Sequence, residues 1–177
     1  IDQDKHPFPA HLTARLNQWQ TIPNLSKADS MPTIRRAILF GGDKEGFKAL
    51  ETLALKNYGF LLFQTIEQAK RSLSSQQETI LKMEKEDIDL SLKLTRREFQ
   101  SFIISELSEV RAAVQEVIKT AALQPADIDV LVTTGGSSLI PVFHNMLKSL
   151  FPQAEIVQSN TFGSVAAGLA LQASEHE

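Results

Sequence analysis

Apolar residues recur at helical spacing in two long stretches of the chain. The first predicts one helix from Asp43, whose carboxylate can cap it, to about Ser74, with Gly59 marking a kink or a close contact. The second predicts a helix that starts at Thr95, because Thr95 and Glu98 have the T-x-x-E spacing of a capping box. Its buried stripe is predicted to consist of Phe99, Phe102, Ile103, Val110, Val114, Val117 and Ile118.

Between these helices the apolar residues alternate with polar ones. Residues 88–94 predict a strand with one solvated face, and a weaker strand precedes it at residues 80–83. Residues 85–87 can turn between the two strands, which gives a β-hairpin. The carboxylates around this turn are interpreted as a solvated rim: Glu84, Glu86, Asp87 and Asp89.

Strands and helices alternate in the last third of the chain, which favours an α/β layer. The predicted order is a short buried strand, a tight glycine turn, a helix, a strand and a helix of small residues. These elements are assigned to residues 129–134, 135–138, 141–150, 154–158 and 165–173.

The segment up to about Pro32 is rich in proline, which fixes φ and removes a hydrogen-bond donor. It is therefore predicted to be broken rather than one long helix. A short amphipathic piece is predicted at residues 12–19 and a polar loop at residues 24–32.

Composition excludes several classes of function. The formal net charge is -3, so nothing favours general attraction to nucleic acid or to an anionic membrane. The absence of cysteine excludes disulfides, thiolate zinc sites and cysteine nucleophiles, and it is compatible with a reducing compartment. No apolar run has the length of a membrane helix and no signal peptide is recognisable. The first residue, Ile1, indicates a piece of a longer chain.

The first candidate site is the Thr-Gly-Gly-Ser-Ser turn at residues 134–138. Glycine lets a ligand approach the main chain, and N–H groups at the start of the following helix can face an anion or a polar ring. Ligands of open α/β sheets also bind at the carboxyl ends of strands, where this turn is predicted to lie. The alternative is a simple tight turn; the pattern is not a Walker loop.

The second candidate is a row of polar residues on the first long helix. The row has the spacing i, i+3, i+4, i+7 and consists of Glu67, Lys70, Arg71 and Ser74. An adjacent apolar face, predicted to be buried, consists of Ile66, Ala69 and Leu73. Such a row can bind a ribose, and a guanidinium plane can stack on an adenine ring. The alternative is a solvated face with a Glu67–Arg71 ion pair worth roughly a few tenths of a kcal/mol.

No metal ligand and no catalytic residue is predicted. The histidines, His6, His11, His144 and His176, lack the spacing and carboxylate context of a metal site and are interpreted as surface side chains. Aromatic residues are few and are not interleaved with basic ones, so no nucleic-acid surface is predicted.

Three motifs follow one another along the chain, and their order is a more specific signal than any one of them alone. Residues 66–74 read Ile-Glu-Gln-Ala-Lys-Arg-Ser-Leu-Ser, and residues 94–99 read Leu-Thr-Arg-Arg-Glu-Phe after the predicted hairpin. Residues 127–141 combine a strand, the turn Gly-Gly-Ser-Ser-Leu-Ile-Pro and a helix start. Together they resemble the heat-shock protein 70 family, which has an E-x-A-K-R-x-L-S helix, an I-T-R-x-x-F helix start and a G-G-S-T/S-R-I-P turn in this order. The resemblance covers about residues 55–173.

The resemblance implies a mixed α/β fold: an actin-like ATPase, ribonuclease H-like lobe with an inserted helix-plus-hairpin lobe. It predicts an α+β lobe at residues 1–94, the tip of the family's second lobe, and an α/β lobe at residues 95–177. In the family, the positions matching Glu67, Lys70, Arg71 and Ser74 hold the adenosine. The turn matching Gly135, Gly136 and Ser137 lies under the nucleotide, so ATP or ADP is the expected ligand.

Two departures from the family pattern alter the expected adenine pocket. Leu139 replaces the arginine that follows the turn, and Phe162 replaces the aspartate of the family's N-P-D-E-A-V-A-x-G segment, here at residues 160–168. With Trp-Gln-Thr-Ile-Pro at residues 19–23, these departures resemble the divergent bacterial YegD-type branch.

The family's two phosphate loops, its catalytic lysine and its magnesium-organising aspartates belong to the preceding half of the domain. The chain is therefore expected to be the C-terminal half of a chaperone's nucleotide-binding domain, cytoplasmic, and not to hydrolyse ATP by itself. Expected partners are adenine nucleotide, the N-terminal half that supplies magnesium, and a co-chaperone or exchange factor. The alternatives are a non-catalytic nucleotide-sensing or protein-interaction module and a sugar kinase or other actin-fold phosphotransferase, which the E-x-A-K-R-x-L-S match disfavours.

Overall fold

The computed structural model of the protein describes residues 8–159 and 172–173. Its α-helices are α1 (Ala10–Thr13), α2 (Met31–Phe40), α3 (Lys44–Leu55), α4 (Gly59–Ser75), α5 (Arg96–Phe102), α6 (Ile104–Thr120) and α7 (Pro141–Leu150). Its strands are β1 (Glu78–Lys85), β2 (Ile88–Thr95), β3 (Val130–Thr133) and β4 (Glu155–Gln158). These elements form two compact units. The first runs up to Ser72 and includes Glu78–Leu94; the second contains Leu73–Gln77 and the residues from Thr95 onward.

The proline-rich start of the first unit is broken, as predicted, into the short helix α1 and 3-10 turns at Ala14–Asn17 and Ile22–Ser26. The polar loop predicted at residues 24–32 is wrong, because Leu25 and Ser30 are fully buried. Helix α2, which has no counterpart among the predicted elements, begins at Met31. Its proline lies in the first turn, where a missing N–H costs nothing.

Arg15 joins the short turns of this segment. Its guanidinium donates to the carbonyl oxygen of Asn24 at 2.8 Å, to the buried hydroxyl of Ser30 at 2.5 Å and to Asp29 at 3.1 Å. Arg15 and the Ser30 hydroxyl hold the pKa of Asp29 below its usual value. The Arg15 guanidinium therefore supplies hydrogen bonds to three polar groups of these turns, which helical backbone hydrogen bonds do not satisfy.

The single long helix predicted after Asp43 is two helices. Asp43 does cap the first, α3, by accepting from the N–H of Gly46 at 2.9 Å. The chain then breaks at Asn57, whose φ of 56° is left-handed, and continues as α4. Asparagine is one of the few side chains that enter this region at low cost, so the break needs no glycine.

Gly59, at the start of α4, lies in the close contact that the sequence analysis predicted. A Cβ at this position would lie 3.0 Å from Cδ1 of Ile22 and 3.1 Å from the carbonyl oxygen of Trp19. The absence of a side chain lets α4 approach the N-terminal segment.

The predicted β-hairpin is present as β1 and β2 with a turn at Glu86 and Asp87. The four carboxylates around the turn are exposed, as interpreted, but Asp87 also makes specific contacts. Its carboxylate pairs with the Lys48 ammonium at 2.6 Å and accepts from the Thr52 hydroxyl at 3.0 Å, so it joins the turn to α3. Lys48 and Thr52 lower the pKa of Asp87.

Glu86 makes a second pair of contacts and is likewise more than a solvated carboxylate. It lies 3.3 Å from the Lys56 ammonium and accepts from the Tyr58 hydroxyl at 2.9 Å, which raises the pKa of Tyr58. We call the six residues that hold the hairpin turn to α3 and the start of α4 the turn latch: Lys48, Thr52, Lys56, Tyr58, Glu86 and Asp87.

Two apolar clusters form the interior of the first unit. The buried members of one are Leu12, Leu25, Met31, Ile34 and Ala54, and those of the other are Ile22, Leu53, Met83 and Ile88. Leu16 and Leu50 pack against both clusters, so the N-terminal turns, α2, α3 and the hairpin share a continuous interior.

In the second unit, the predicted capping box is present. The Thr95 hydroxyl accepts from the N–H of Glu98 at 3.2 Å, and the Glu98 carboxylate accepts from the N–H of Thr95 at 2.8 Å. The Thr95 contacts lower the pKa of Glu98. The helix that follows breaks at Ile103 into α5 and α6.

The buried stripe predicted for this second helix is wrong beyond Phe99. Phe99 is buried, but the side chains of Phe102 and Val117 are 68% and 66% exposed, and α6 has no buried residue. Helical spacing shows which side chains share a face, and not whether another element covers that face.

Strands β3 and β4 are parallel neighbours joined through α7, with Val130 opposite Glu155 and Thr133 opposite Gln158. This strand–turn–helix–strand order matches the prediction, and α7 has the predicted bounds. The predicted burial of the first strand is wrong, because Val132 is 68% exposed. The helix predicted at residues 165–173 lies outside the described residues, apart from the helical Gln172 and Ala173. Within the described part of the chain, no helix is long and apolar enough to cross a membrane.

Candidate functional site

The predicted polar row lies on one side of α4. Glu67 and Arg71 are exposed, whereas Lys70 and Ser74 are half-buried. The Lys70 ammonium lies 2.5 Å from the Glu67 carboxylate, and Arg71 and Ser74 each make further interactions. Because Lys70 and Glu67 remain 43% and 55% exposed, their ion pair is weak, and both side chains can change partner.

The apolar face next to this row fixes its direction. Ala69 and Leu73 are buried, as predicted, and Ile66 is partly buried. Burial of these side chains sets the rotation of α4 about its axis, which leaves Glu67 and Arg71 exposed, with Lys70 and Ser74 half-buried beside the apolar face.

Arg96 holds the end of α4, a role that sequence reasoning missed. Its Nε donates to the carbonyl oxygen of Leu73 at 2.8 Å, and its own N–H donates to the carbonyl oxygen of Gln77 at 2.8 Å. The last carbonyls of a helix lack partners within it, and a cation is favourable there. Arg96 thus helps to position Ser74. The arginine of the Thr-Arg-Arg-Glu motif was visible in the sequence, but its main-chain acceptors were not.

The glycine turn forms a short 3-10 helix, Gly136–Leu139, between β3 and α7. Gly135 has a φ of 82°, which an L side chain would strain. Its carbonyl oxygen accepts from the Ser138 hydroxyl at 2.7 Å and from the Ser138 N–H at 3.2 Å. These bonds fix the turn without using Gly136.

Among the described residues, a Cβ built on Gly136 would meet no atom within 4 Å. Packing within the described residues therefore does not require glycine at this position. Gly136 and Ser137 are both exposed, so their main chain is open to approach from solvent.

The predicted site residues fall on both units. Glu67, Lys70 and Arg71 belong to the first, whereas Ser74 and the glycine turn belong to the second. Leu139, which ends the 3-10 helix, is 38% exposed. Phe162 and the segment 160–168 lie outside the described residues.

Among the residues that the structure describes, no group of histidine, cysteine, aspartate or glutamate side chains could hold a metal ion. His6 and His176 lie outside those residues. Of the candidate sites predicted from the sequence, the structure describes the polar row of α4 and the open main chain of the turn.

Comparison with known proteins identifies the class of protein that carries these features. The sequence profile of the Hsp70 protein family matches residues 55–176, well over half of the chain. The chain belongs to the Hsp70 family, and its mixture of helices and small sheets is the α/β fold of Hsp70 and actin-like ATPases.

Among its curated relatives are two proteins named chaperone protein DnaK, from two strains of Thermus thermophilus. Each is 32% identical over 120 residues, covering 63% of this chain and 20% of the relative. The chain thus spans about a fifth of the length of these relatives. The family and the fold predicted from the sequence are confirmed. The YegD-type branch and the placement in the C-terminal half of the domain stay predictions.

Proposed function

We propose that this chain is the C-terminal part of the ATP-binding domain of an Hsp70-type chaperone and supplies contacts to the adenosine. Hsp70 proteins in general bind ATP or ADP with magnesium and work with co-chaperones. The observation that carries the proposal is the polar row of α4, which is complete and turned outward by the burial of Ala69 and Leu73.

Each side chain of the row has a distinct role in the proposal. The Glu67 carboxylate and the Lys70 ammonium, which already lie together, contact the ribose hydroxyls. The guanidinium of Arg71 stacks on the adenine ring, because its plane suits aromatic faces. The Ser74 hydroxyl completes the row with a group that can donate or accept.

The glycine turn contributes main-chain contacts in the same proposal. Gly135, Gly136 and Ser137 are exposed or half-buried, and no atom in the described part of the chain lies within 4 Å of a Cβ on Gly136. A ligand can then approach the main chain where a side chain would block it. The predicted lobes at residues 1–94 and 95–177 belong to the proposal.

No catalytic residue is proposed in this chain. Phosphoryl transfer depends on positioning and on neutralising charge with metal ions and cations. We assign the magnesium and those groups to the N-terminal half of the same domain. Co-chaperones or exchange factors as partners, and a cytoplasmic location, are proposed from the family alone.

The test is calorimetric titration of the full-length protein with ADP and ATP in the presence of magnesium. Arg71→Ala is expected to weaken binding roughly 3- to 30-fold, the range of about 0.5–2 kcal/mol for a cation on a ring. Arg97→Ala, which removes an exposed arginine from α5, is the matched control and should leave binding unchanged. Equal binding by both variants would remove Arg71 from the site.

Gly136→Ala tests the turn separately. The new methyl group meets no atom of the residues that the structure describes, so the free energy of unfolding should stay unchanged while nucleotide binding weakens. Unchanged affinity would show that the nucleotide does not approach this main chain.

The second candidate function is a non-catalytic nucleotide-sensing or protein-interaction module with the same fold. Leu139 favours it, because a partly exposed leucine replaces the guanidinium that the family pattern places after the turn. Leu139→Arg is expected to tighten ADP binding by roughly 3- to 30-fold under the first proposal. If full-length protein binds neither ADP nor ATP and Leu139→Arg restores nothing, the second function stands instead.

A further inference from the structure

A groove of about 930 Å³ opens in the first unit between the N-terminal turns, α3 and the β-hairpin. Its apolar wall consists of half-buried side chains: Phe8, Leu16, Phe47, Leu50, Leu62 and Leu90. The proposed nucleotide contacts are not among its lining residues. Because these apolar side chains are only partly covered, a ligand that covers them gains free energy from burial.

Negative charge dominates the rim of the groove. The carboxylates that line it are Asp43, Glu45, Glu86, Asp87 and Asp89. Two of them are paired with lysines, Asp87 with Lys48 at 2.6 Å and Glu86 with Lys56 at 3.3 Å, so the excess negative charge comes from the other three. Glu45 and Asp89 are both exposed, so the potential at the rim favours cations.

The groove is formed before any ligand binds. The turn latch holds the hairpin against α3 through Asp87 and Thr52 at 3.0 Å. The rings of Phe8 and Phe47 pack at 5.1 Å between centroids, and Leu53 and Met83, which also line the groove, are buried. A preformed surface avoids part of the ordering cost of binding.

We propose that this groove docks a peptide segment of a partner protein that carries apolar side chains flanked by lysine or arginine. The apolar wall supplies affinity, and the acidic rim selects basic flanks and rejects acidic ones. An uncharged small molecule would gain nothing from the negative charge of the rim, whereas a segment with basic flanks does. The inference concerns a surface separate from the row of α4 and does not depend on nucleotide binding.

Three labelled synthetic peptides of equal length test the proposal on the full-length protein by fluorescence anisotropy. One has leucines at helical spacing with lysine flanks, one has the same leucines with glutamate flanks, and one has serines with lysine flanks. We expect the leucine–lysine peptide to bind at least tenfold more tightly than either of the others. Its affinity should fall as salt is added, because the rim charges are exposed.

Paired variants then locate the binding. Glu45→Gln with Asp89→Asn removes two rim carboxylates, and Glu109→Gln with Glu155→Gln removes two exposed carboxylates of the second unit. The net charge changes equally in both. The first pair should weaken the leucine–lysine peptide at least threefold and the second less than twofold. All four sites are exposed, so the fold should be retained, which circular dichroism checks.

Several results would overturn the proposal. Equal affinity for lysine- and glutamate-flanked peptides would indicate unspecific apolar adhesion, and equal effects of the two variant pairs would indicate unspecific charge attraction. Failure of every peptide to bind would also reject it. If sedimentation velocity shows self-association that Glu45→Gln with Asp89→Asn weakens, the occupant of the groove is a second copy of this chain instead.

Discussion

The two units differ in how completely they bury their apolar side chains. The first encloses Leu12, Ile22, Leu25 and Ile34 completely. In the described part of the second, the buried apolar side chains are Leu73, Phe99, Met146, Leu147 and Phe151, while α6 and β3 expose valines to solvent. The periodicity of apolar residues is equally clear in both, so periodicity alone does not tell which face becomes an interior.

The largest contrast is expected from removing side-chain volume in each unit. Ile34→Ala should lower the free energy of unfolding by about 2–5 kcal/mol, because it leaves a cavity in a fully buried cluster. Val117→Ala in α6 should change it by less than about 0.5 kcal/mol, because that side chain is exposed. Urea unfolding measures both. A comparable loss for Val117→Ala would mean that its face is covered in solution, and the contrast between the units would disappear.

A smaller contrast is expected from adding a methyl group at a glycine of each unit. Gly59→Ala should cost roughly 1–3 kcal/mol, since its Cβ would lie within about 3 Å of Ile22 and of the main chain of Trp19. Gly136→Ala should change the free energy of unfolding by less than about 0.5 kcal/mol, because no atom of the described residues lies within 4 Å of the new Cβ. Thermal melts and urea midpoints of the two variants give the comparison. If Gly59→Ala proves neutral, the N-terminal segment yields more readily than its burial implies.

The smallest contrast is in the response to acid. Asp87 in the first unit and Glu98 in the second both have a pKa below the ordinary values of about 3.9 and 4.3. Each therefore stabilises the fold fully above its unfolded pKa and loses that contribution as the pH falls through its folded pKa. Urea midpoints measured at falling pH should decline less steeply in Asp87→Asn and in Glu98→Gln than in the parent.

Added salt is expected to affect the acid response of Asp87 and Glu98 differently. The strongest contact of Asp87 is with the charged Lys48, whereas Glu98 is held by the neutral hydroxyl and N–H of Thr95. Added sodium chloride should therefore reduce the acid response that depends on Asp87 and leave the part that depends on Glu98. Equal salt effects on both would argue against an ion pair in the turn latch.

Local signals predicted the elements well. Asp43 and Thr95 mark helix starts because a cap needs only a side chain and the next few N–H groups, and both caps are present. The breaks at Asn57 and Ile103 were missed. Asn57 adopts the left-handed φ that asparagine tolerates, but asparagine also occurs inside helices, so the residue type alone does not mark the break.

Burial and long-range contacts were the least predictable from the sequence. Helix α2 was not predicted because Pro32 and its polar neighbours indicate a loop, although proline is tolerated in a first turn. For the candidate site, the common face of Glu67 and Arg71 follows from helical spacing. The Arg96 guanidinium donates to a main-chain carbonyl 23 residues earlier in the chain, for which a linear pattern carries no signal.

The bond from the Arg96 N–H to the carbonyl oxygen of Gln77 affects which changes of the hairpin the fold can accept during evolution. This bond joins the residue before β1 to the residue after β2, so the whole hairpin is a loop whose two ends are held together. The entropic cost of closing a loop rises only slowly with the length of the loop. A change in the hairpin beyond this bond would disturb the turn latch at its tip, while Ser74, next to the end of α4, keeps its position.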